Sequence, residues 1–379
     1  MKSMGFGMMR LPLLDKDNTK SIDQEQVNKM ADEFIEKGFT YFDTAYPYHD
    51  GESEVAFRKA VTERYSRDEF IVADKLPIFS ITSEDQLEPI FNEQLERCGV
   101  DYFDYYLMHN VSGLSEKGFR DVDSFKFANE KKAEGKIKHL GFSTHAHADY
   151  IEEIIKEHPE MEFIQLQINY LDWENPGVEA RKCYEVACKY DLPIIVMEPL
   201  KGGFLADVPE KAEKLMRDYN GQSPVEWALR YVLTLDNVKM VLSGASAYEQ
   251  LKSNMDIHEN MKPLNEELDI IYQVVDIIND NITVPCTKCN YCVSSCPEDI
   301  NISKLFDLYN NEMIENIDGF TATGNEYLNY SKIEGNGLAS DCIECGACVK
   351  QCPQHIDIPK YLKDVAAKFE TPLYGFNTE

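Results

Sequence analysis

A chain of 379 residues with 43% hydrophobic side chains is long enough for two domains, or for one large barrel with an appendage. Its 67 acidic against 38 basic residues give a net charge of −29, which repels phosphate and excludes nucleic acid and anionic membrane surfaces as expected partners. No stretch approaches the roughly 18 to 20 apolar residues of a membrane span. The opening MKSMGFGMMRLPLL is interrupted by Arg10 and Pro12 and lacks a cleavage site, so a cytoplasmic protein with reduced thiols is expected.

Up to about residue 280, short apolar runs alternate with longer amphipathic ones, the pattern of a parallel sheet crossed over by helices. Strands are predicted at 5–10, 40–44, 70–75, 103–108, 138–142, 163–167, 193–197 and 238–242. Between the first two lies a helical pattern at 22–37, with Val27, Met30, Phe34 and Ile35 at helical spacing. Eight strands alternating with helices predict an α/β fold of the (β/α)8 TIM-barrel type over residues 1–280. No G-x-G-x-x-G run follows any strand, which counts against a doubly wound dinucleotide fold. At 279–285 the polar stretch NDNITVP reads as a linker, and residues 281–379 as a second domain.

The cysteines divide the same way. Cys98, Cys183 and Cys188 fall in predicted helices of the first part and are expected to be inert core thiols, whereas eight others lie between 286 and 352. Residues 286–297 (CTKCNYCVSSCP) and 342–353 (CIECGACVKQCP) both follow C-x2-C-x2-C-x3-C-P. That run resembles the one that holds four-iron clusters in bacterial ferredoxins, where the fourth cysteine of each motif serves the other cluster. The resemblance implies two 4Fe-4S clusters, one on Cys286, Cys289, Cys292 and Cys352, the other on Cys342, Cys345, Cys348 and Cys296. Zinc also takes C-x2-C pairs, but it favours two separate pairs over four cysteines in one run followed by proline. With residues 303–314 predicted as a helix, the second domain is expected to be small, ferredoxin-like and mostly α-helical.

Barrel enzymes act at the C-terminal ends of their strands. There the second strand supplies Asp43 and, five residues on, Tyr48; the third supplies Lys75 and the fourth His109. Residues 43–48 match the D-T-A-x-x-Y pattern of the aldo-keto reductase family, which the chain resembles from residue 1 to about 275; GFSTH, QLQINY, MEPLKGG and SGASAYEQLKSN extend the match. The resemblance implies reversible NAD(P)-dependent hydride transfer between a carbonyl and an alcohol. Tyr48 would be the general acid, Lys75 would lower its pKa, Asp43 would hold Lys75, and His109 would orient the carbonyl. Ser143, Thr144 and Gln167 would meet the nicotinamide carboxamide and Met197 its ring, with Gly244, Gln250 and Asn254 along the adenosine end.

The chain departs from that family at several points. Thr144 replaces the usual Asn, and Met197 replaces an aromatic residue. Gly244 and Gln250 stand where a Lys and an Arg often bind the 2′-phosphate, so no strong preference for NADPH is expected. The first strand begins almost at Met1, so the hairpin that usually plugs the barrel bottom is missing or vestigial. The second domain replaces the usual substrate-closing tail. The clusters are expected to serve either electron transfer or structure; the expected partner is a small carbonyl or alcohol, joined, where the clusters carry electrons, by a one-electron redox partner such as a ferredoxin or flavoprotein, since nicotinamide moves two electrons and each cluster one. An electron-transfer or redox-sensing protein whose barrel only binds nicotinamide or docks a partner is the alternative.

Overall fold

The computed structural model describes residues 4–15, 18–113, 115–260, 262–264, 267–280, 282–315, 321–331, 335–374 and 376. Eight parallel strands form a closed barrel in sequence order: β1 (Met4–Gly7), β2 (Tyr41–Asp43), β3 (Ile71–Leu76), β4 (Phe103–Met108), β5 (Ile137–Thr144), β6 (Ile164–Gln167), β7 (Ile194–Met197) and β8 (Val238–Ser243), with β8 pairing back to β1. All eight predicted strands are present. The first is shorter than expected, because the chain leaves the sheet after Gly7 pairs with Asp43 and turns through a single 3-10 turn at Met8–Arg10. The Ser53 hydroxyl holds that turn by donating to the Met8 carbonyl.

Helices α1 (Gln24–Glu36), α2 (Glu52–Phe57), α3 (Leu87–Cys98), α4 (Ser124–Ala133), α5 (Ala148–Glu157), α6 (Ala180–Lys189), α7 (Glu210–Asn220), α8 (Pro224–Leu233), α9 (Tyr248–Asn260) and α10 (Leu268–Asn279) follow in chain order. The Asp23 side chain caps α1 by accepting from the Gln26 amide, and Val27, Met30, Ala31 and Phe34 bury its inner face. Strand alternation puts Tyr41, Ala73, Leu107, Phe163, Ile195, Met240 and Leu242 into one buried cluster inside the barrel. At its N-terminal end the Tyr105 ring lies 5.2 Å from those of Tyr41 and Phe163. Aromatic side chains therefore fill the end where the hairpin was expected to be missing. Gly141 makes room for them, since a Cβ there would lie 2.4 Å from the Phe163 carbonyl oxygen.

The chain divides into two compact units: Met1–Leu200 with Val225–Glu267, which contains the barrel, and Lys201–Pro224 with Leu268–Glu379. The second unit is helical, with α11 (Ile302–Glu315), α12 (Ala322–Tyr330), α13 (Ala347–Gln351) and α14 (Ile358–Phe369) added to α7 and α10. Its core includes Leu305, Phe306, Tyr327, Val365 and Phe369, with the Tyr327 and Phe369 rings stacked at 4.8 Å. A parallel bridge between Ile300 and Gly337 ties the segments carrying the two cysteine motifs. Only glycine fits at 337, because a Cβ would meet the Glu298 carbonyl oxygen at 2.0 Å. Among the described residues no helix is long and apolar enough to cross a membrane.

Candidate functional site

The tetrad residues come from three strand ends and the turn after one of them. Asp43 closes β2, Lys75 lies near the end of β3, and His109 directly follows β4. The Lys75 ammonium donates to Asp43 Oδ1 and to the Thr44 carbonyl, both at 2.7 Å, and all three residues are buried. It lies 4.9 Å from the centre of the half-buried Tyr48 ring, which meets the His109 ring edge-on at 5.8 Å. His49 and Asp50, immediately after Tyr48, both adopt left-handed backbone (φ 52° and 53°) and Gly51 follows at 92°. Such strain at non-glycine residues costs on the order of 1 kcal/mol each and gathers where a side chain must be aimed.

Electrostatics departs from the expectation at Tyr48. Burial first, then the carboxylates of Asp43, Asp74 and Glu198, push its phenol well above the ordinary value of 10.0. Lys75 does not reverse this, because its charge is compensated by Asp43 at contact distance. Tyr48 is thus held as a neutral phenol that keeps its proton. Burial, followed by the charges of Lys75 and His145, lowers His109 well below 6.5, so its imidazole is neutral near pH 7. His109 Nδ1 is buried without a hydrogen-bond partner. The Phe79 ring, 44% exposed, meets the same imidazole at 5.4 Å.

Around these four, the Ser143 hydroxyl accepts from the Asn110 amide at 2.9 Å, beside His109. Thr144 is turned to the backbone, donating to the Val111 carbonyl and accepting from the Ala146 amide. Gln167 donates to Asp172 Oδ2 at 2.8 Å, and its Oε1 lies 3.1 Å from His145 Nδ1. Met197 packs half-buried against the barrel interior. At the β8 end, Asn254 donates to the Ser243 hydroxyl, while exposed Gln250 accepts from the amide and hydroxyl of Ser246. Gly244 faces Arg10, whose Cδ would lie 4.0 Å from a Cβ at 244. His145, Phe79 and Arg10 were not singled out from the sequence, although His145 ends the GFSTH run and shares strand parity with Ser143.

Beneath Lys75 lies a second buried group with no sequence motif to announce it. Glu54 and Asp74 are both 0% exposed; Arg97 donates to Glu54 Oε2 at 3.1 Å, and the Cys98 thiol donates to Asp74 Oδ2 at 3.6 Å. Burial first, and then the charge of Asp74, raise the Glu54 carboxyl far above its usual range; burial raises Asp74 as well. A carboxyl raised in the folded state contributes stability that is complete below its ordinary value of 4.5 and is lost as pH rises through the folded value. Glu54→Gln is therefore expected to flatten the alkaline decline of barrel stability. Thermal melts from about pH 6 to 10 check this, and an unchanged alkaline slope in the variant would refute it.

Cys98 and Cys183 are buried as expected, but Cys188 is only half-buried at the end of α6. The other eight cysteines fall into two sets that cross the motifs. Burial pushes Cys292 up to about 12, followed by the neighbouring sulfurs of Cys286, Cys289 and Cys352. Burial likewise pushes Cys348 up to about 11 against the Val349 amide, and the sulfurs acting on it are those of Cys342 and Cys296. Cys296, Cys342, Cys345 and Cys348 line one small pocket together with Pro297, Glu298 and Ile302. Four cysteines around one mostly apolar pocket fit an iron–sulfur cluster, for which soft thiolate ligands are suited.

A closed barrel with polar groups gathered at its strands' C-terminal ends is followed by a cysteine-rich helical unit, and the family matches make the chain an oxidoreductase. The chain belongs to the aldo/keto reductase family, whose profile matches residues 3–275, and a 4Fe-4S dicluster domain matches residues 285–356. An aldo-keto reductase of Mycolicibacterium vanbaalenii is 27% identical over 259 residues, 65% of this chain and 86% of that protein. The NADH-specific methylglyoxal reductase of Escherichia coli is 27% identical over 260 residues, 58% of this chain and 78% of its own length. The holo form of the aldo-keto reductase AKR11C1 from Bacillus halodurans superposes with a TM-score of 0.58 at 25% identity, covering 72% of this chain and 91% of that one.

Proposed function

We propose that the barrel catalyses reversible hydride transfer between a nicotinamide cofactor and a small carbonyl or alcohol, with Tyr48 as proton donor. The observation that carries this reading is the buried Asp43–Lys75 pair at 2.7 Å with its ammonium 4.9 Å from the Tyr48 ring. A bound reduced nicotinamide supplies the hydride. As the carbonyl carbon accepts it, the C=O π bond opens, the oxygen gains negative charge, and the proton of the neutral Tyr48 phenol moves to that oxygen. Lys75 then stabilises the phenolate left behind, and solvent restores its proton. Neutral His109 hydrogen-bonds the carbonyl and adds no competing charge. Ser143, Gln167 and Met197 are assigned to the nicotinamide, and Gly244, Gln250 and Asn254 to the adenosine end. Thr144 is kept in the carboxamide group, although its hydroxyl is engaged with the backbone. Turnover of a carbonyl panel with NADH and NADPH under anaerobic conditions tests the reading, and no turnover with any carbonyl overturns it.

Cys286, Cys289, Cys292 and Cys352 would hold one 4Fe-4S cluster, and Cys342, Cys345, Cys348 and Cys296 a second. When bound, each supplies one-electron chemistry. Exposed Cys345 and Ile343, the latter 61% exposed, border the second set and favour exchange with an external ferredoxin or flavoprotein.

Preference between the nicotinamides follows from Gly244 and Gln250, which offer no cation to a 2′-phosphate. We expect kcat/KM for NADPH to stay within about tenfold of that for NADH, a difference of roughly 1.4 kcal/mol. Initial rates with both cofactors decide it, and a preference of about a hundredfold or more for NADPH would refute it.

A further inference from the structure

Arg10 ends the single 3-10 turn that follows β1, at the face of the barrel where the strands finish, and it is half-buried. Among the described residues its guanidinium has no hydrogen-bond or ion-pair partner. Carboxylates are plentiful in a chain with 67 acidic side chains, so a half-buried arginine without one stays available to an anionic ligand.

The turn that carries Arg10 is held from two sides. The buried Ser53 hydroxyl donates to the Met8 carbonyl at 3.0 Å, and the Leu11 amide donates to His49 Nε2 at 3.1 Å. Both anchors lie just after Tyr48 in the chain, so Arg10 is fixed to the segment that aims the phenol. Beside it, Gly7 and Gly244 leave the main chain bare. A Cβ at 244 would meet nothing nearer than Arg10 Cδ and the Gly7 carbonyl oxygen, both at 4.0 Å, and one at Gly7 nothing nearer than the Ser243 carbonyl oxygen at 3.6 Å. A ligand can therefore come closer to the backbone here than past a side chain, within reach of the Arg10 side chain.

Strand order says which part of a dinucleotide that is. The adenosine end is assigned to Gly244, Gln250 and Asn254 after β8, and the reacting groups stand at the ends of β2, β3 and β4. In the closed barrel β1 lies between β8 and β2, and the diphosphate is the middle of the dinucleotide. We propose that Arg10 is a cofactor-binding residue that pairs with this diphosphate, the group common to NADH and NADPH. A guanidinium presents two parallel N–H donors that match two oxygens of a phosphate. Such a contact strengthens binding of both cofactors without reading the 2′-phosphate. This rests on the reading above that the barrel binds a nicotinamide cofactor.

The test is titration calorimetry of NAD+ and NADP+ into the anaerobically purified full-length protein, for wild type, Arg10→Met and Arg10→Lys. Arg10→Met is expected to weaken both dinucleotides about tenfold, by factors that agree within about threefold. Arg10→Lys should fall between, because a point charge keeps the attraction but not the paired contact. Added salt should weaken binding to the wild type more than to Arg10→Met. Without cofactor, Arg10→Met should melt no lower than wild type, since it removes a cation that has no partner in the fold. In turnover, KM for NADH should rise while kcat stays within about twofold. The assignment is overturned by unchanged affinity for both dinucleotides in Arg10→Met, or by a loss confined to NADP+, which would put Arg10 on the 2′-phosphate. It is also overturned by a cofactor-free Arg10→Met that melts several degrees lower or does not fold, which would make Arg10 structural. A wild type that binds neither dinucleotide removes the nicotinamide reading itself, whereas a wild type that binds both as tightly as Arg10→Met does removes this assignment alone.

Discussion

Replacing Tyr48 by Phe is expected to lower kcat for carbonyl reduction by about 10²- to 10⁴-fold, the usual worth of a positioned proton donor. Binding of the nicotinamide should change little, because the phenol acts only as the carbonyl oxygen gains charge, so the loss should appear in kcat and kcat/KM together. The pH profile adds a second readout. A phenol raised well above 10.0 by burial and by three carboxylates keeps its proton through neutrality, so reduction should be nearly flat from about pH 6 to 9 and fall only when that proton is lost. Alcohol oxidation needs the phenolate and should rise with pH instead. His109, lowered well below 6.5, places any acid-side loss below the ordinary histidine range. Full turnover by Tyr48→Phe, or a reduction optimum that falls away already at neutral pH, would remove Tyr48 from this role.

The second large effect concerns the cysteines. Cys352→Ser is expected to abolish the same spectroscopic signal as Cys289→Ser, although these residues belong to different motifs, and Cys296→Ser the same signal as Cys345→Ser. Each variant should fall from about eight irons per chain to about four. The expectation rests on the crossed sets, in which Cys352 acts on Cys286 and Cys292 while Cys296 shares a cavity with Cys342, Cys345 and Cys348. Pairing of Cys352→Ser with Cys345→Ser would show instead that each motif serves one cluster. Zinc in place of iron in the anaerobically purified protein would overturn the cluster reading altogether.

How far the sequence reached can be judged at particular residues. The eight strands were legible because buried parallel strands are short, apolar and regularly spaced between amphipathic helices. Asp43, Lys75 and His109 were legible because barrel geometry sends successive strand ends to one face. The end of β1 was missed, since leaving the sheet at Gly7 depends on a hydroxyl from Ser53, forty-six residues away. The direction of the Tyr48 shift was missed for a related reason: it comes first from burial, to which Asp43, Asp74 from β3 and Glu198 from the turn after β7 add, while Lys75 is already paired to Asp43.

By itself the sequence determined the barrel, the family, the cysteine motifs and the candidates for the reacting groups, because periodicity and motif spacing are local properties of the chain. Only the tertiary structure decided the directions in which burial and neighbouring charges push Tyr48 and His109, the shared burial of Glu54 and Asp74, and the burial of Lys201 against Gln354. These depend on desolvation and on charges brought together from distant segments, and both fall off over a few ångströms of space that no sequence separation encodes.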